Sequence, residues 1–252
     1  MLIDTHAHLY IDYYDDISKV IENANSNGIK YIVSAGVDNK TNDEMLELVK
    51  RTNNVYVTLG IHPENIDLYN DSDLTLIESN LNNPYVIAIG EIGLDYHYEN
   101  HDRAKQIDIF EKQLKIAEKN DFPVVIHSRE ATEDTINILK KYHVRGVIHS
   151  FSGSLEIARE YIKMGFYLGI NGVVTFKNAN IKKTVASLGL EHFVLETDSP
   201  YLTPEPYRGK QNTPSNILTI ANFLAEYLEI PVQDVASITS KNALALFDKL
   251  VH

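Results

Sequence analysis

Cysteine is absent from this chain of 252 residues. The protein therefore has no disulfide and no thiolate ligand for a metal ion, which is compatible with a reducing cytoplasm. No apolar run is long enough for a transmembrane helix, which needs about 18 such residues or more. The start of the chain also has no basic segment followed by an apolar one. We therefore expect no signal peptide and a cytoplasmic location.

Basic side chains are few relative to acidic ones, with 23 Lys and Arg against 35 Asp and Glu, and the formal net charge is −12. Such a surface repels polyphosphates at long range. It argues against an extended duplex-binding footprint, whose affinity would depend on many phosphate contacts. A phosphate ester or a strand end can still enter a pocket whose charge is set by bound metal ions.

Short apolar segments alternate along the chain with amphipathic ones, which predicts strands alternating with helices. The strands are predicted at residues 2–4, 31–35, 55–60, 86–90, 124–127, 147–149, 167–170 and 193–195. The helices are predicted at residues 16–26, 42–52, 74–81, 103–119, 132–142, 155–164, 181–188, 215–228 and 232–250. This alternation implies parallel strands joined by right-handed crossovers.

The economical arrangement of these elements is an α/β fold, a (β/α)8 TIM-type barrel. Barrels of this length are commonly one domain, and the chain has no linker, internal repeat or low-complexity tract. We therefore expect residues 1–252 to form a single barrel domain. An open, doubly wound sheet is the alternative.

Histidines and carboxylates cluster where the predicted strands end. His6 and His8 are two residues apart, so they point to the same side of a strand. The other candidates stand at the ends of predicted strands or just after them: they are His62, Glu91, His127, His149 and Asp198. A barrel brings the carboxyl ends of its strands to one rim, where active sites lie. The remaining histidines are expected at the surface: His97, His101, His143, His192 and His252.

Imidazole and carboxylate ligands without thiolate suit a divalent ion that keeps open positions for water and substrate. A bound Zn²⁺ can lower the pKa of water to about 7, and two ions about 3.5–4 Å apart can hold both oxygens of an in-line displacement. The two oxygens of Glu91 can bridge such a pair. Asp198 can bind an ion and also accept a proton from water. Glu91 and Asp198 are therefore the candidate catalytic residues.

A long irregular segment over residues 198–214 holds four of the eight prolines. Long loops in compact domains are often functional. Within it, Arg208 offers bidentate donors and Lys210 a compact charge for phosphate oxygens. Tyr207 can stack on a base. We expect these three residues to bind substrate.

The chain resembles the TatD family of metal-dependent hydrolases, within the amidohydrolase superfamily. The resemblance covers nearly the whole chain and lies in residues 3–8 (IDTHAH), 60–63 (GIHP), 90–95 (GEIGLD), 125–129 (VIHSR), 149–153 (HSFSG), 196–202 (ETDSPYL) and 206–210 (PYRGK). It implies a barrel and a site for two divalent ions. The identity of the metal stays open among Zn, Mg, Mn and Fe.

The resemblance also implies roles for individual residues. One ion would be bound by His6, His8, Glu91 and Asp198. Glu91, His127 and His149 would bind the second, with Glu91 in place of the carbamylated lysine that bridges the ions in many amidohydrolases. His62 would lie beside the metals and contact substrate phosphate.

The family's usual activity is that of a deoxyribonuclease, often a 3′→5′ exonuclease on single strands or damaged ends. DNA is therefore the expected partner and a membrane is not. The oligomeric state stays open, with a monomer slightly favoured. One alternative is a metal-dependent hydrolase of a small-molecule amide, a lactone or an aminoacyl-tRNA ester. Another is a binding protein that keeps a metal ion for stability.

Overall fold

The computed structural model describes residues 1–100 and 102–251. The predictions for His101 and His252 lie outside the described residues. Within those ranges, none of the helices combines the length and the apolar character needed to cross a membrane.

In the part of the chain that the structure describes, eight parallel strands form one sheet in the order β1 to β8. They are β1 (Leu2–Ala7), β2 (Ile29–Ala35), β3 (Val55–Leu59), β4 (Val86–Asp95), β5 (Val124–Arg129), β6 (Gly146–Ile148), β7 (Phe166–Ile170) and β8 (Phe193–Leu195). A parallel bridge between Ala7 and Ser199 brings the end of the sheet back to its beginning. The backbone of Asp198 also donates to the carbonyl of His6 at 2.9 Å. The barrel is therefore nearly closed, which confirms the predicted fold class and excludes the open doubly wound sheet.

Helices follow the strands around the outside of the barrel. They are α1 (Ile17–Ser26), α2 (Asn39–Leu48), α3 (Asp71–Ser79), α4 (Arg103–Lys119), α5 (Thr132–Leu139), α6 (Leu155–Lys163), α7 (Ile181–Leu188), α8 (Ile217–Leu228) and α9 (Val232–Leu246). Helix α2 begins three residues earlier than predicted. Its start at Asn39 is fixed by a capping box that Asp38 and Thr41 form. The prediction also extended α9 too far, since Phe247 ends that helix with its backbone at φ −110° and ψ 86°.

Strand β4 is longer than predicted, and all ten of its residues are buried. Its last residues pair with β5, where Gly93 is the partner of His127. Gly93 has a φ of +146°, and a Cβ atom there would lie 1.9 Å from the carbonyl oxygen of His127. Only glycine permits so close an approach. The continued pairing carries β4 past Glu91 and places that carboxylate inside the barrel mouth.

Candidate metal centre

The six residues predicted to bind metal converge at the carboxyl-terminal mouth of the barrel. Donor atoms of His6, His8 and Glu91 all lie within 4.8 Å of one another, and so do those of His6, His149 and Asp198. His127 joins Glu91 from the neighbouring strand, with 2.8 Å between its Nδ1 atom and Oε1 of Glu91. Five of the six are buried, and His127 is partly exposed. The structure thus brings together six residues that lie in or just after strands far apart in the sequence, and we call these six residues the donor cluster.

The two carboxylate oxygens of Glu91 face different histidines. Oε2 lies 3.3 Å from Nε2 of His6 and 3.8 Å from Nε2 of His8. Oε1 instead lies 2.8 Å from Nδ1 of His127 and 3.7 Å from Nε2 of His149. Asp198 is on the first side, with its Oδ1 atom 3.4 Å from Nε2 of His8. The Glu91 carboxylate therefore lies between two groups of donor atoms. One group belongs to His6, His8 and Asp198, and the other to His127 and His149.

Tyr10 fixes the protonation of the Nδ1 atom of His8. The hydroxyl of Tyr10 donates to the carbonyl of Ala35 at 2.5 Å. Its oxygen must therefore accept at the 3.0 Å contact with Nδ1 of His8, so that nitrogen carries the hydrogen. The lone pair of a neutral His8 is left on Nε2, which faces Glu91 and Asp198. Such partners orient metal-binding histidines.

Carboxylates lie behind two further histidines. Oε1 of Glu196 is 3.0 Å from Nδ1 of His149, and the same oxygen accepts from the backbone of Ser150 at 2.6 Å. Oδ2 of Asp95 is 2.9 Å from Nε2 of His127. In both cases the opposite ring nitrogen faces Glu91. This carboxylate–histidine arrangement is typical of metal sites, where it fixes the tautomer and raises ligand basicity.

Tyr10, Asp95 and Glu196 were not among the predicted site residues. A weak signal for each was present in the sequence. Tyr10 follows His8 by two residues, the same spacing that relates His8 to His6, and both carboxylates lie within the motifs that carry the family resemblance. What the sequence lacks is the direction of each side chain, which decides whether a carboxylate faces the centre or supports a histidine.

His62 lies beside the centre and acts as a hydrogen-bond donor. Its Nδ1 atom accepts a hydrogen bond from the backbone N–H of Glu64 at 3.1 Å. The hydrogen of the neutral ring therefore sits on Nε2, which points at Oε1 of Glu91 from 3.5 Å. Burial, together with the neighbouring His127, lowers the pKa of His62 and keeps the ring neutral. While the bond to Glu64 is kept, His62 offers an N–H group to the pocket rather than a lone pair to an ion.

The electrostatics of the pocket favour positive charge at its centre. Burial lowers the pKa of His149, but Glu196, Asp198 and Glu91 outweigh it and raise that pKa to about 10. Burial likewise lowers the pKa of His127, but hydrogen bonds to Asp95 and Glu91 raise it to about 9. Burial would raise the pKa of Glu91, yet the surrounding imidazoles hold it well below its usual value. A buried, acidic donor set of this kind fits divalent cations, since their charge is what it stabilises.

A cavity of about 470 Å³ opens above this cluster. Besides members of the cluster, its lining includes His62, Tyr10, Tyr13, Tyr98, Tyr201 and Arg129. Among the described residues, Arg129 is the one Lys or Arg that lines it. The guanidinium of Arg129 lies 5.8 Å from the ring centre of Tyr98.

The predicted loop residues Tyr207, Arg208 and Lys210 lie outside this cavity. All three are exposed. Arg208 stacks on Phe176, with its guanidinium carbon 4.1 Å from the ring centre. The loop therefore packs towards the segment that follows β7, and its cations do not reach the donor cluster. Of the histidines expected at the surface, His97, His143 and His192 are exposed as predicted.

Comparison with known proteins identifies the family. The family model described as "TatD related DNase" matches residues 3–248. An uncharacterized metal-dependent hydrolase of Bacillus subtilis, YabD, is 41% identical over 98% of this chain and 99% of its own length. The Escherichia coli hydrolase YcfH, also uncharacterized, is 32% identical over 98% of this chain and 95% of its own.

A solved structure agrees with these relatives. The crystal structure of YjjV, a TatD homologue from Escherichia coli, superposes with a TM-score of 0.93 at 28% identity and covers 98% of both chains. The chain is a metal-dependent hydrolase and belongs to the TatD family.

Proposed function

We propose that this protein is a deoxyribonuclease that hydrolyses phosphodiester bonds at the ends of DNA strands with two divalent ions. The observation that carries the proposal is the position of Glu91, whose two oxygens face separate groups of donors. One ion would be held by His6, His8, Glu91 and Asp198. The second would be held by Glu91, His127 and His149. The description of the matching family as related to a DNase supports DNA as the substrate.

The ions, when bound, would supply Lewis acidity that polarises a phosphoryl oxygen and lowers the pKa of water. Asp198, whose side chain lines the cavity, would accept the proton of the attacking water. His62 would donate its Nε2 hydrogen to a phosphate oxygen. Glu91, Glu196 and Asp95 would keep the surrounding histidines in place.

The shape and charge of the molecule favour a strand end over the side of a duplex. The cavity volume of about 470 Å³ lies in the range of small-ligand sites. The net charge of −12 opposes a long footprint on phosphates. A single chain end that enters the mouth meets both the donor cluster and Arg129.

Arg129 is the cation best placed to bind a phosphate at this site. Within the described ranges, no carboxylate oxygen lies close enough to form a salt bridge with it, although the pocket beside it is acidic. Arg208 and Lys210, together with Tyr207, would instead contact phosphates and bases further along the strand, outside the cavity.

We therefore expect Arg129→Ala to raise KM about 10- to 100-fold on a dinucleotide, because it removes charge-assisted hydrogen bonds to phosphate. Arg208→Ala is the matched control, and it should leave cleavage of the dinucleotide unchanged while weakening cleavage of a longer oligonucleotide. Steady-state kinetics on both substrates measure this. A larger effect of Arg208→Ala on the dinucleotide would contradict the assignment of Arg129.

The activity itself is tested with single-stranded DNA labelled at either the 3′ or the 5′ end. The purified protein is treated with chelator and then supplied with Mg²⁺, Mn²⁺ or Zn²⁺. We expect trimming from one end, lost on chelation and restored by metal, and the labelled end gives the polarity. Protein that binds two ions yet cleaves neither substrate would refute the nuclease proposal. A panel of lactones, amides and aminoacyl-tRNA esters would then identify the bond that is hydrolysed.

A further inference from the structure

Three tyrosines form one wall of the cavity above the donor cluster, and we call Tyr10, Tyr13 and Tyr201 the tyrosine wall. The rings of Tyr10 and Tyr13 lie 5.2 Å apart, and those of Tyr13 and Tyr201 lie 5.9 Å apart. Tyr201 also meets His8 edge-on, with 6.1 Å between ring centres. The wall thus begins at a residue of the donor cluster and extends to the solvent.

Tyr201 is held rigidly although its side chain is 48% exposed. Its backbone N–H donates to the carbonyl of Asp198 at 2.8 Å, and its carbonyl accepts from the buried amide of Asn212 at 2.6 Å. Its hydroxyl lies 2.7 Å from the hydroxyl of Tyr13. A large aromatic ring is therefore fixed in orientation three residues after Asp198, with one side open to the cavity.

A fixed and half-exposed ring at the mouth of a catalytic cavity is suited to stacking on a planar group of the substrate. Tyr207 is exposed to a similar extent, at 44%, but it does not line the cavity. Arg129, beside Tyr98, also lines the cavity, and it ends β5, which is four strands around the barrel from β1. A substrate unit that has an anion and a planar ring thus meets a cation on one side and an aromatic surface on the other.

We propose that Tyr201, positioned by Tyr13, is the specificity-determining residue that stacks on the base next to the scissile phosphate. This inference rests on the proposed nuclease function. Stacking accepts any base, so the site selects phosphodiesters whose terminal unit carries an aromatic base, without selecting a sequence. A terminal abasic unit has no ring to offer and is expected to be a poor substrate.

The test compares two oligonucleotides that are identical except that one ends in an abasic unit. We expect Tyr201→Leu to lower kcat/KM on the ordinary end about 10-fold, since it removes one stacking contact, and to leave the abasic end unchanged. Tyr201→Phe keeps the ring but loses the hydroxyl contact with Tyr13, so it should retain a reduced preference for a base. Tyr13→Phe removes only the hydroxyl contact and should reduce that preference without abolishing it.

A separate binding measurement distinguishes stacking from a structural role. Fluorescence anisotropy is measured in a Glu91→Gln background, in which turnover is strongly reduced. Adding Tyr201→Leu should weaken binding of the ordinary end and leave binding of the abasic end unchanged. Equal losses on both ends would overturn the inference, because they would mean that Tyr201 only positions Asp198. If the wild type cleaves DNA without distinguishing the two ends, the inference about Tyr201 is wrong but the proposed nuclease function stands. A wild type that cleaves neither end with any metal would refute the nuclease function, and the inference with it.

Discussion

Replacing Glu91 with glutamine should lower cleavage on the order of 1,000-fold, the upper range seen when a single electrostatic contact at an active site is removed. Glutamine has nearly the same shape but no charge, and one of its two terminal atoms is a donor. Whichever way the amide turns, an NH₂ group faces His6 and His8 on one side or His127 and His149 on the other. One of the two donor groups would then lose its shared carboxylate.

The fold should survive this substitution. Glu91 is 3% exposed, and a neutral amide is cheaper to bury than a carboxylate. Glu130→Gln is the matched control, because Glu130 is an exposed carboxylate near the same rim whose partner, His97, lies outside the donor cluster. Circular dichroism, metal content by mass spectrometry and kcat/KM are measured on both variants. Full activity in Glu91→Gln, or a comparable loss in Glu130→Gln, would show that the proposed role of Glu91 is wrong.

The features of the site that depend on periodicity were predictable from the sequence. Apolar segments that alternate with amphipathic ones give eight strands and their helices. In a parallel barrel the carboxyl ends of all strands meet at one rim, so histidines that follow different strands must lie close together. That reasoning gave the set of six converging residues, although it placed the end of β4 at residue 90 instead of Asp95.

The features that depend on the path of a loop were not predictable. Arg208 and Lys210 are predicted to bind substrate, but the sequence does not show how far from the donor cluster their loop places them. Arg208 stacks on Phe176, a contact between segments that are 32 residues apart, and it lies outside the cavity. The cation that does line the cavity, Arg129, follows His127 by two residues on β5, where strand alternation puts both on the same side.

Glycine at position 169 of β7 is expected to be required for the orientation of His149. A Cβ atom there would lie 2.2 Å from Oε2 and 2.6 Å from Cδ of Glu196, the carboxylate behind His149. Glu196 is fully buried and cannot retreat. Gly169→Ala should therefore displace Glu196 and reduce metal affinity about 10- to 100-fold, the usual effect of losing such a partner.

The double variant Gly169→Ala/Glu196→Ala separates this route from a general disturbance of the barrel. If the alanine acts only through Glu196, its effect should largely vanish once that carboxylate has been removed, so the two losses of metal affinity should not add. Affinity is measured by competition with a chromophoric chelator, and thermal unfolding is recorded in parallel. Strictly additive losses would mean that the added methyl group disturbs β7 itself. In that case the packing of the barrel, and not the carboxylate behind His149, would explain why this position holds glycine.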